Sequence, residues 1–279
     1  MDQLVSRHGC GHRLGLFFDF DGTLAPIVEH PSLARLDPAT REVLRRLACA
    51  PRVAVGVLSG RSLDGLKSLL GMPEVLYAGA AGLELELAGK RIVPRGAARA
   101  SAILCRARVR LQRVLQGYPG AWLENKGLGL TLHYRKVSSR HIARLRQQSM
   151  EAVRMFPRSL RVLEQDMAVE IVPALGWDKG TALRRMLKHA GVRGEDAVYA
   201  GNGANDEEAM RAVRDLGGTA VGIGDQAPSF SQYRLAGPAE LRRFLAKLAR
   251  AVEVRSATSR HPKSAGTRFR CDQFQRRSF

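Results

Sequence analysis

Apolar and polar positions follow one rhythm near the two ends of the chain and another in its middle. Leu14 to Asp19 is an apolar run closed by an acid, and Gly22 and Pro26 follow as loop punctuation, so the pattern predicts a buried strand that empties into a loop. Helical spacing from Pro38 to Cys49, a β-rich run from Val53 to Leu58 and helical spacing from Leu63 to Leu70 continue the alternation. It returns with helices over 179–190, 206–215 and 238–252 and strands over 196–200 and 219–223. Strands alternating with helices predict a parallel sheet covered on both faces.

Between these halves the spacing predicts a helix over 99–117, paired strands over 121–125 and 128–134 across a turn at Gly127, a helix over 138–156, and a second strand pair over 161–165 and 168–172. The fold class expected is therefore α/β, a Rossmann-like core with a parallel sheet, plus an inserted α+β module of order α-β-β-α-β-β. The corresponding division is an N-terminal tail (1–13), a first core part (14–98), the inserted module (99–174), a second core part (175–253) and a basic tail (254–279). That last stretch mixes Ser, Thr, Arg, Pro and Gly without periodicity, which predicts disorder.

Composition changes this picture little and charge changes it more. The 279 residues are 45% hydrophobic and 25% charged, which excludes a wholly disordered or collagen-like chain. The formal charge is +19, and it is local: residues 99–161 hold 14 Lys/Arg against 2 Asp/Glu, and 254–279 hold 7 against 1. The rest is balanced, with 24 basic and 23 acidic residues. Four scattered cysteines show no Cys-x-x-Cys spacing, so neither a zinc knuckle nor a disulfide framework is expected. No run of about 18 apolar residues occurs, and Met1 to His12 lacks an apolar signal core. The expectation is a cytoplasmic protein, a monomer without membrane partners.

The chemistry concentrates in Phe18-Asp19-Phe20-Asp21-Gly22-Thr23-Leu24. Two acids two residues apart, where an apolar strand ends, put carboxylates at the carboxyl edge of a parallel sheet, the usual location of sites in such folds. There Asp19 could act as a nucleophile and Asp21 as proton donor and acceptor; the alternative for Asp-Gly is a simple turn. Ser59 after the strand 53–58 is open to plain turn chemistry, and Lys179 at a helix start is open to being an exposed helix residue. In the inserted module Glu124 and Glu170 can accept from sugar hydroxyls while Lys126 donates; a solvated hairpin is the other reading.

Taken in order, these segments resemble the signatures of the haloacid-dehalogenase-like phosphatases. The first is Asp19-Phe20-Asp21-Gly22-Thr23-Leu24, the second is Leu58-Ser59-Gly60-Arg61, the third is Trp177-Asp178-Lys179-Gly180, and the fourth is Gly201-Asn202-Gly203-Ala204-Asn205-Asp206. Within that superfamily Ala25-Pro26-Ile27, Glu124-Asn125-Lys126, Leu132-His133-Tyr134-Arg135 and Glu170-Ile171-Val172-Pro173 resemble the trehalose-6-phosphate phosphatase family, over about Leu14 to Leu248. The resemblance implies hydrolysis of trehalose 6-phosphate, in trehalose biosynthesis, through an aspartyl phosphate. It assigns catalytic roles to Asp19, Asp21, Ser59 and Lys179, and substrate binding to Arg61, Glu124, Lys126 and Glu170 in a cap that closes over the sugar. It further implies Mg2+ held by Asp19, the Asp21 carbonyl, Asp206 and Asn202. Two positions depart from the family: Asn202-Gly203 replaces a pair of acids, and Ala81 replaces a His. These departures leave open a phosphatase for another sugar or glycosyl phosphate. From a different class comes a catalytically weakened protein whose basic cap and tail grip a polyanion, although no nucleic-acid motif is found and nucleic acid is not the expected partner.

Overall fold

The computed structural model describes residues 6, 10–165, 167–229 and 231–258. Its larger sheet has eight strands, β1 (Leu14–Phe18), β2 (Val53–Leu58), β3 (Leu76–Gly79), β4 (Glu84–Leu87), β5 (Lys90–Ile92), β10 (Ala197–Gly201), β11 (Thr219–Ile223) and β12 (Tyr233–Leu235), in the order β12-β11-β10-β1-β2-β3-β4-β5. Strands β12 through β3 are parallel, and β4 and β5 add an antiparallel edge. The remaining strands, β6 (Trp122–Asn125), β7 (Leu130–His133), β8 (Leu160–Gln165) and β9 (Ala168–Pro173), form a separate antiparallel sheet in the order β6-β7-β9-β8.

Strand β1 shows why both faces of the large sheet must be covered. All five of its residues are buried, which is the burial expected of a central parallel strand. Leu14, Leu16 and Phe18 enter one apolar cluster with helices α1 (Pro38–Cys49), α2 (Leu63–Leu70) and α7 (Pro238–Thr258). Phe17 points the other way, into a cluster with α5 (Lys179–Ala190) and α6 (Glu207–Asp215). Each fully buried Leu or Phe contributes on the order of 1.5–3 kcal/mol of transfer free energy, so the period-2 alternation holds the layers together. The small sheet buries one face under α3 (Ala97–Leu115) and α4 (Ser139–Arg154), through Leu104, Leu111, Leu145 and Val153 against Leu130, Leu132, Val169 and Ile171.

Several elements differ from the sequence expectation. β3, β4, β5 and β12 were not anticipated; they are three or four residues long, and β4 and β5 carry charges that obscure any alternation. Helix α7 continues to Thr258, so the first residues of the expected basic tail are helical. The rest of that tail, 259–279, and most of the expected N-terminal tail lie outside the described residues. Among the described residues no helix is long and apolar enough to cross a membrane.

Candidate active site

Three adjacent parallel strands end together. Phe18 of β1 registers with Val57 of β2 and with Ala200 of β10, so Asp19, one residue further out, and Ser59 and Asn202, two residues further out, emerge at the same carboxyl edge. The chain order reverses direction at β1, whose neighbours are β2 and β10, making this the switch point at which open α/β sheets hold ligands.

The loops are set by specific contacts. Gly22 has φ +85°, and a Cβ there would lie 2.2 Å from the Asn202 amide, so the turn after Asp21 admits no side chain. On the second loop, Ser59 Oγ accepts from the Arg61 amide at 3.2 Å, and Glu84 accepts from the Leu63 amide at the start of α2 at 3.0 Å. Backbone amides of Ala80 and Ala81 donate to the carbonyls of Arg61 and Ser59 at 2.6 and 3.0 Å. Ala81 therefore serves this loop through its backbone, at a left-handed φ of 55°. Asp178 caps α5 by accepting from the Thr181 amide at 2.7 Å, which fixes Lys179 in the first turn.

Lys179 is buried rather than exposed: 1% of its surface reaches solvent. Its ammonium donates to Asp19 Oδ1 at 2.6 Å and to Asp206 Oδ1 at 2.7 Å. One cation thus serves two buried carboxylates, leaving a surplus negative charge. Burial, and then the nearby Asp206 charge, push the Asp19 carboxyl up to about 7 despite the Lys179 contact. Burial works against the Lys179 charge, but the two carboxylates outweigh it and hold its pKa above the ordinary value. Tyr199 on β10 donates its hydroxyl to Asp206 Oδ1 at 2.7 Å, and burial followed by that charge raises the phenol well above its usual range.

Asp206 is held by protein donors on both carboxylate oxygens. Its Oδ1 accepts from Lys179 and Tyr199, and its Oδ2 accepts from the Asn202 and Gly203 amides at 2.9 and 3.2 Å. With both oxygens occupied, it anchors the lysine and the fourth loop. The oxygens that converge elsewhere are Asp19 Oδ2, the Asp21 carbonyl and the side-chain oxygen of Asn202, which also accepts from the Thr23 hydroxyl at 3.3 Å. Three oxygens that face one another with no donor between them mark a place where a cation is electrostatically favoured, and an all-oxygen set suits a hard ion such as Mg2+.

Asp21 faces a cleft of about 720 Å³ between the two sheets. Arg61 donates to both of its carboxylate oxygens at 2.7 Å. Across the cleft stand Glu124, Thr131, His133 and Glu170, which share one face of the small sheet because Thr131 registers with both Glu124 and Glu170. Lys126 Nζ lies 3.4 Å from Glu170 and 3.9 Å from Glu124, and His133 Nε2 lies 2.9 Å from Glu124. Burial opposes charge on Glu124, yet the His133 hydrogen bond and Lys126 prevail and hold its carboxyl below the usual range.

Of the sequence-expected set, Asp19, Asp21, Ser59, Arg61 and Asn202 line the cleft from the core and Glu124 and Lys126 line it from the opposite wall, while Lys179 and Asp206 are buried behind Asp19 and Glu170 is buried beside Lys126. Sequence reasoning missed Tyr199, whose only signal was a hydroxyl inside a fully buried strand, and Thr131, whose buried Oγ1 has no partner. It also missed an aromatic stack in which Trp122 lies between His30 and His133, with centroids 4.7 and 4.1 Å apart.

A parallel core sheet carrying this array at its switch point, with an inserted antiparallel cap, defines the haloacid-dehalogenase-like phosphatase class, whose members typically use Mg2+. The trehalose-phosphatase family model matches residues 17–254. The chain belongs to the trehalose-phosphatase family. It is 31% identical to a probable trehalose-phosphate phosphatase 9 of Oryza sativa subsp. japonica, over 85% of this chain and 70% of that protein. It is 35% identical to the trehalose-phosphate phosphatase of Mycobacterium avium (strain 104), over 90% of this chain and 65% of that one. The chain thus spans about two thirds of the length of these relatives. Among solved structures, the C-terminal domain of a C. albicans trehalose-6-phosphate phosphatase shares the fold at a TM-score of 0.77 with 20% identity, covering 88% of this chain and 96% of that domain. A trehalose-6-phosphate phosphatase related protein does so at 0.74 with 23% identity, over 87% and 99%.

Proposed function

We propose that the chain hydrolyses trehalose 6-phosphate to trehalose and inorganic phosphate, with Asp19 as nucleophile. The observation that carries this reading is the carboxylate of Asp19, fixed at the cleft floor by a buried ammonium and standing two residues from a second acid that faces the cleft. An Asp19 oxygen attacks phosphorus, the bond from phosphorus to the sugar oxygen breaks, and Asp21 gives that oxygen its proton. Asp21 then takes a proton from water, the water oxygen attacks phosphorus, and the Asp19–phosphorus bond breaks. Lys179 keeps its proton throughout and offsets charge on Asp19, while the Ser59 hydroxyl and the amides of its loop suit the phosphoryl oxygens.

Asp19, the Asp21 carbonyl and the Asn202 side-chain oxygen would hold Mg2+, with Asp206 fixing the loop that carries Asn202. When bound, the ion supplies positive charge against the nucleophile and the phosphoryl group. The Asn202 oxygen already faces Asp19 and the Asp21 carbonyl. On the opposite wall Glu124, Glu170, Lys126 and the unpaired Thr131 hydroxyl offer donors and acceptors to sugar hydroxyls. Release of inorganic phosphate from trehalose 6-phosphate, compared with glucose 6-phosphate and sucrose 6-phosphate, with and without a chelator, tests the proposal. The expected result is chelator-sensitive release that is fastest from trehalose 6-phosphate; preference for another sugar phosphate would overturn the substrate assignment.

A further inference from the structure

A block of eight arginines lies on the side of the cap turned away from the cleft. Leu130, Leu132, Val169 and Ile171 of the small sheet face α3 and α4, whereas the alternating Thr131 and His133 line the cleft, so the outer surfaces of α3 and α4 lie a full helical layer from the chemistry. On α3, Arg99, Arg106, Arg110 and Arg113 are exposed; on α4 and the turn after it, so are Arg140, Arg144, Arg154 and Arg158. The two helices pack against each other, so the eight guanidinium groups belong to one continuous surface. Among the described residues none of the eight is ion-paired with a carboxylate, whereas Arg146 and Arg161 nearby are, with Glu164 and Glu208. The only acid within α3 or α4 is Glu151, and it is engaged by Gln147.

A surface built this way is costly to leave alone, because like charges on neighbouring turns repel. Substrate capture does not explain it, since the cap sheet separates it from the cleft. We infer that the outer face of α3 and α4 is a docking surface for the phosphodiester backbone of nucleic acid. Arginine matches phosphate oxygens with a planar fork, and a helix rise of about 1.5 Å per residue puts Arg106 and Arg110, and likewise Arg140 and Arg144, about 6 Å apart. Nucleic acid presents a dense line of such phosphates. Neither helix carries an exposed aromatic for base stacking, so contact is with the backbone and independent of sequence. A lipid bilayer fits less well: the leucines of both helices are already buried against the sheet, leaving only Val109 and Met155 as large exposed apolar residues there.

The test is fluorescence anisotropy of the full-length protein with a short labelled DNA duplex of mixed sequence, at several salt concentrations. The wild type is expected to bind with a slope of log affinity against log salt of about −4, the value for four to five phosphates neutralised. The variant Arg106→Glu, Arg110→Glu, Arg144→Glu, Arg154→Glu is expected to bind about 100-fold more weakly at fixed salt with an unchanged thermal melt. The same four positions changed to Gln should give an intermediate loss, which separates charge from any folding defect. A full-length chain with Arg260, Lys263, Arg268, Arg270, Arg276 and Arg277 changed to Gln should keep most of the slope. The inference is overturned if the cap variants bind as the wild type does, if the tail variant alone abolishes binding, or if the protein sediments with phosphatidylserine vesicles while ignoring DNA.

Discussion

Arg61 grips Asp21 with two parallel hydrogen bonds, each 2.7 Å, from Nε and Nη2 to the two carboxylate oxygens. The guanidinium also lies over the Phe20 ring, 5.4 Å from its centroid, which limits its freedom. In the proposed reaction Asp21 exchanges a proton with the departing sugar, so this pairing would position the acid before substrate arrives and would have to loosen afterwards. Replacing Arg61 by Gln removes a bidentate, charge-assisted contact worth about 1.5–3 kcal/mol, and kcat/KM should fall about 10- to 100-fold. Steady-state kinetics on Arg61→Gln and Arg61→Lys check this. Lys should rescue only part of the loss, because it cannot make the planar double contact.

Asp19→Asn keeps the shape of the side chain and removes the proposed nucleophile. Phosphate release should drop by about 10³-fold or more, while circular dichroism remains that of the wild type. Lys179→Met should act differently, because it leaves Asp19 and Asp206 buried without their cation. Breaking a buried pair costs about 3–5 kcal/mol, so this variant should lose thermal stability as well as activity.

The raised pKa of Asp19 gives metal binding a pH signature. In the folded, metal-free protein Asp19 keeps its proton up to about pH 7, whereas the unfolded chain releases it near 3.8. Between those values the folded state binds more protons, so the Asp19 contribution to stability falls as pH rises through that window. A divalent ion binds the ionised carboxylate, so the rise in Tm produced by Mg2+ should be small at pH 5.5 and larger at about pH 8. Differential scanning fluorimetry with and without Mg2+ measures it, and a pH-independent rise would show that Asp19 does not hold the ion.

Asn202→Asp tests the cation seat. A carboxylate there adds formal charge to the oxygen set in place of the neutral amide oxygen that faces Asp19 and the Asp21 carbonyl. Mg2+ affinity by calorimetry should increase by about tenfold or more. Without metal the same change should lower Tm, since a third acid joins an already negative cluster.

Thr131→Val separates a sugar contact from simple packing. The Thr131 hydroxyl is buried and unpartnered, so in the free protein its replacement by an isosteric methyl should leave stability unchanged or raise it slightly. If that hydroxyl meets a sugar, KM for trehalose 6-phosphate should rise several-fold with little change in kcat.

The sequence revealed most where one physical signal dominated. β1 and β2 stood out because central parallel strands are continuous apolar runs, and the acids at their ends marked the sheet edge. β4 did not, because Glu84 and Glu86 interrupt it, and the reason for a buried Glu84 appears only when the α2 amide it accepts from comes into view. Lys179 could be placed at a helix start from its neighbours, but its burial depends on Asp206 and Tyr199, which arrive from β10 and the loop beyond it. The stacking of His30 on Trp122 joins residues some ninety positions apart, and no local periodicity encodes such a contact.

That stack has a practical consequence. Trp122 is one of two tryptophans, and its indole rests against an imidazole from the loop after β1 on one side and one from β7 on the other. The second, Trp177, sits under the Arg185 guanidinium, within a single stretch of chain. Any lifting of the small sheet off the large one would bare one side of the Trp122 indole, and it would also part Trp177 from Leu128 and Val172, the module's share of the apolar cluster against which Trp177 packs. The molecule therefore carries a native optical gauge of its own opening, in which both indoles report, and needs no attached dye.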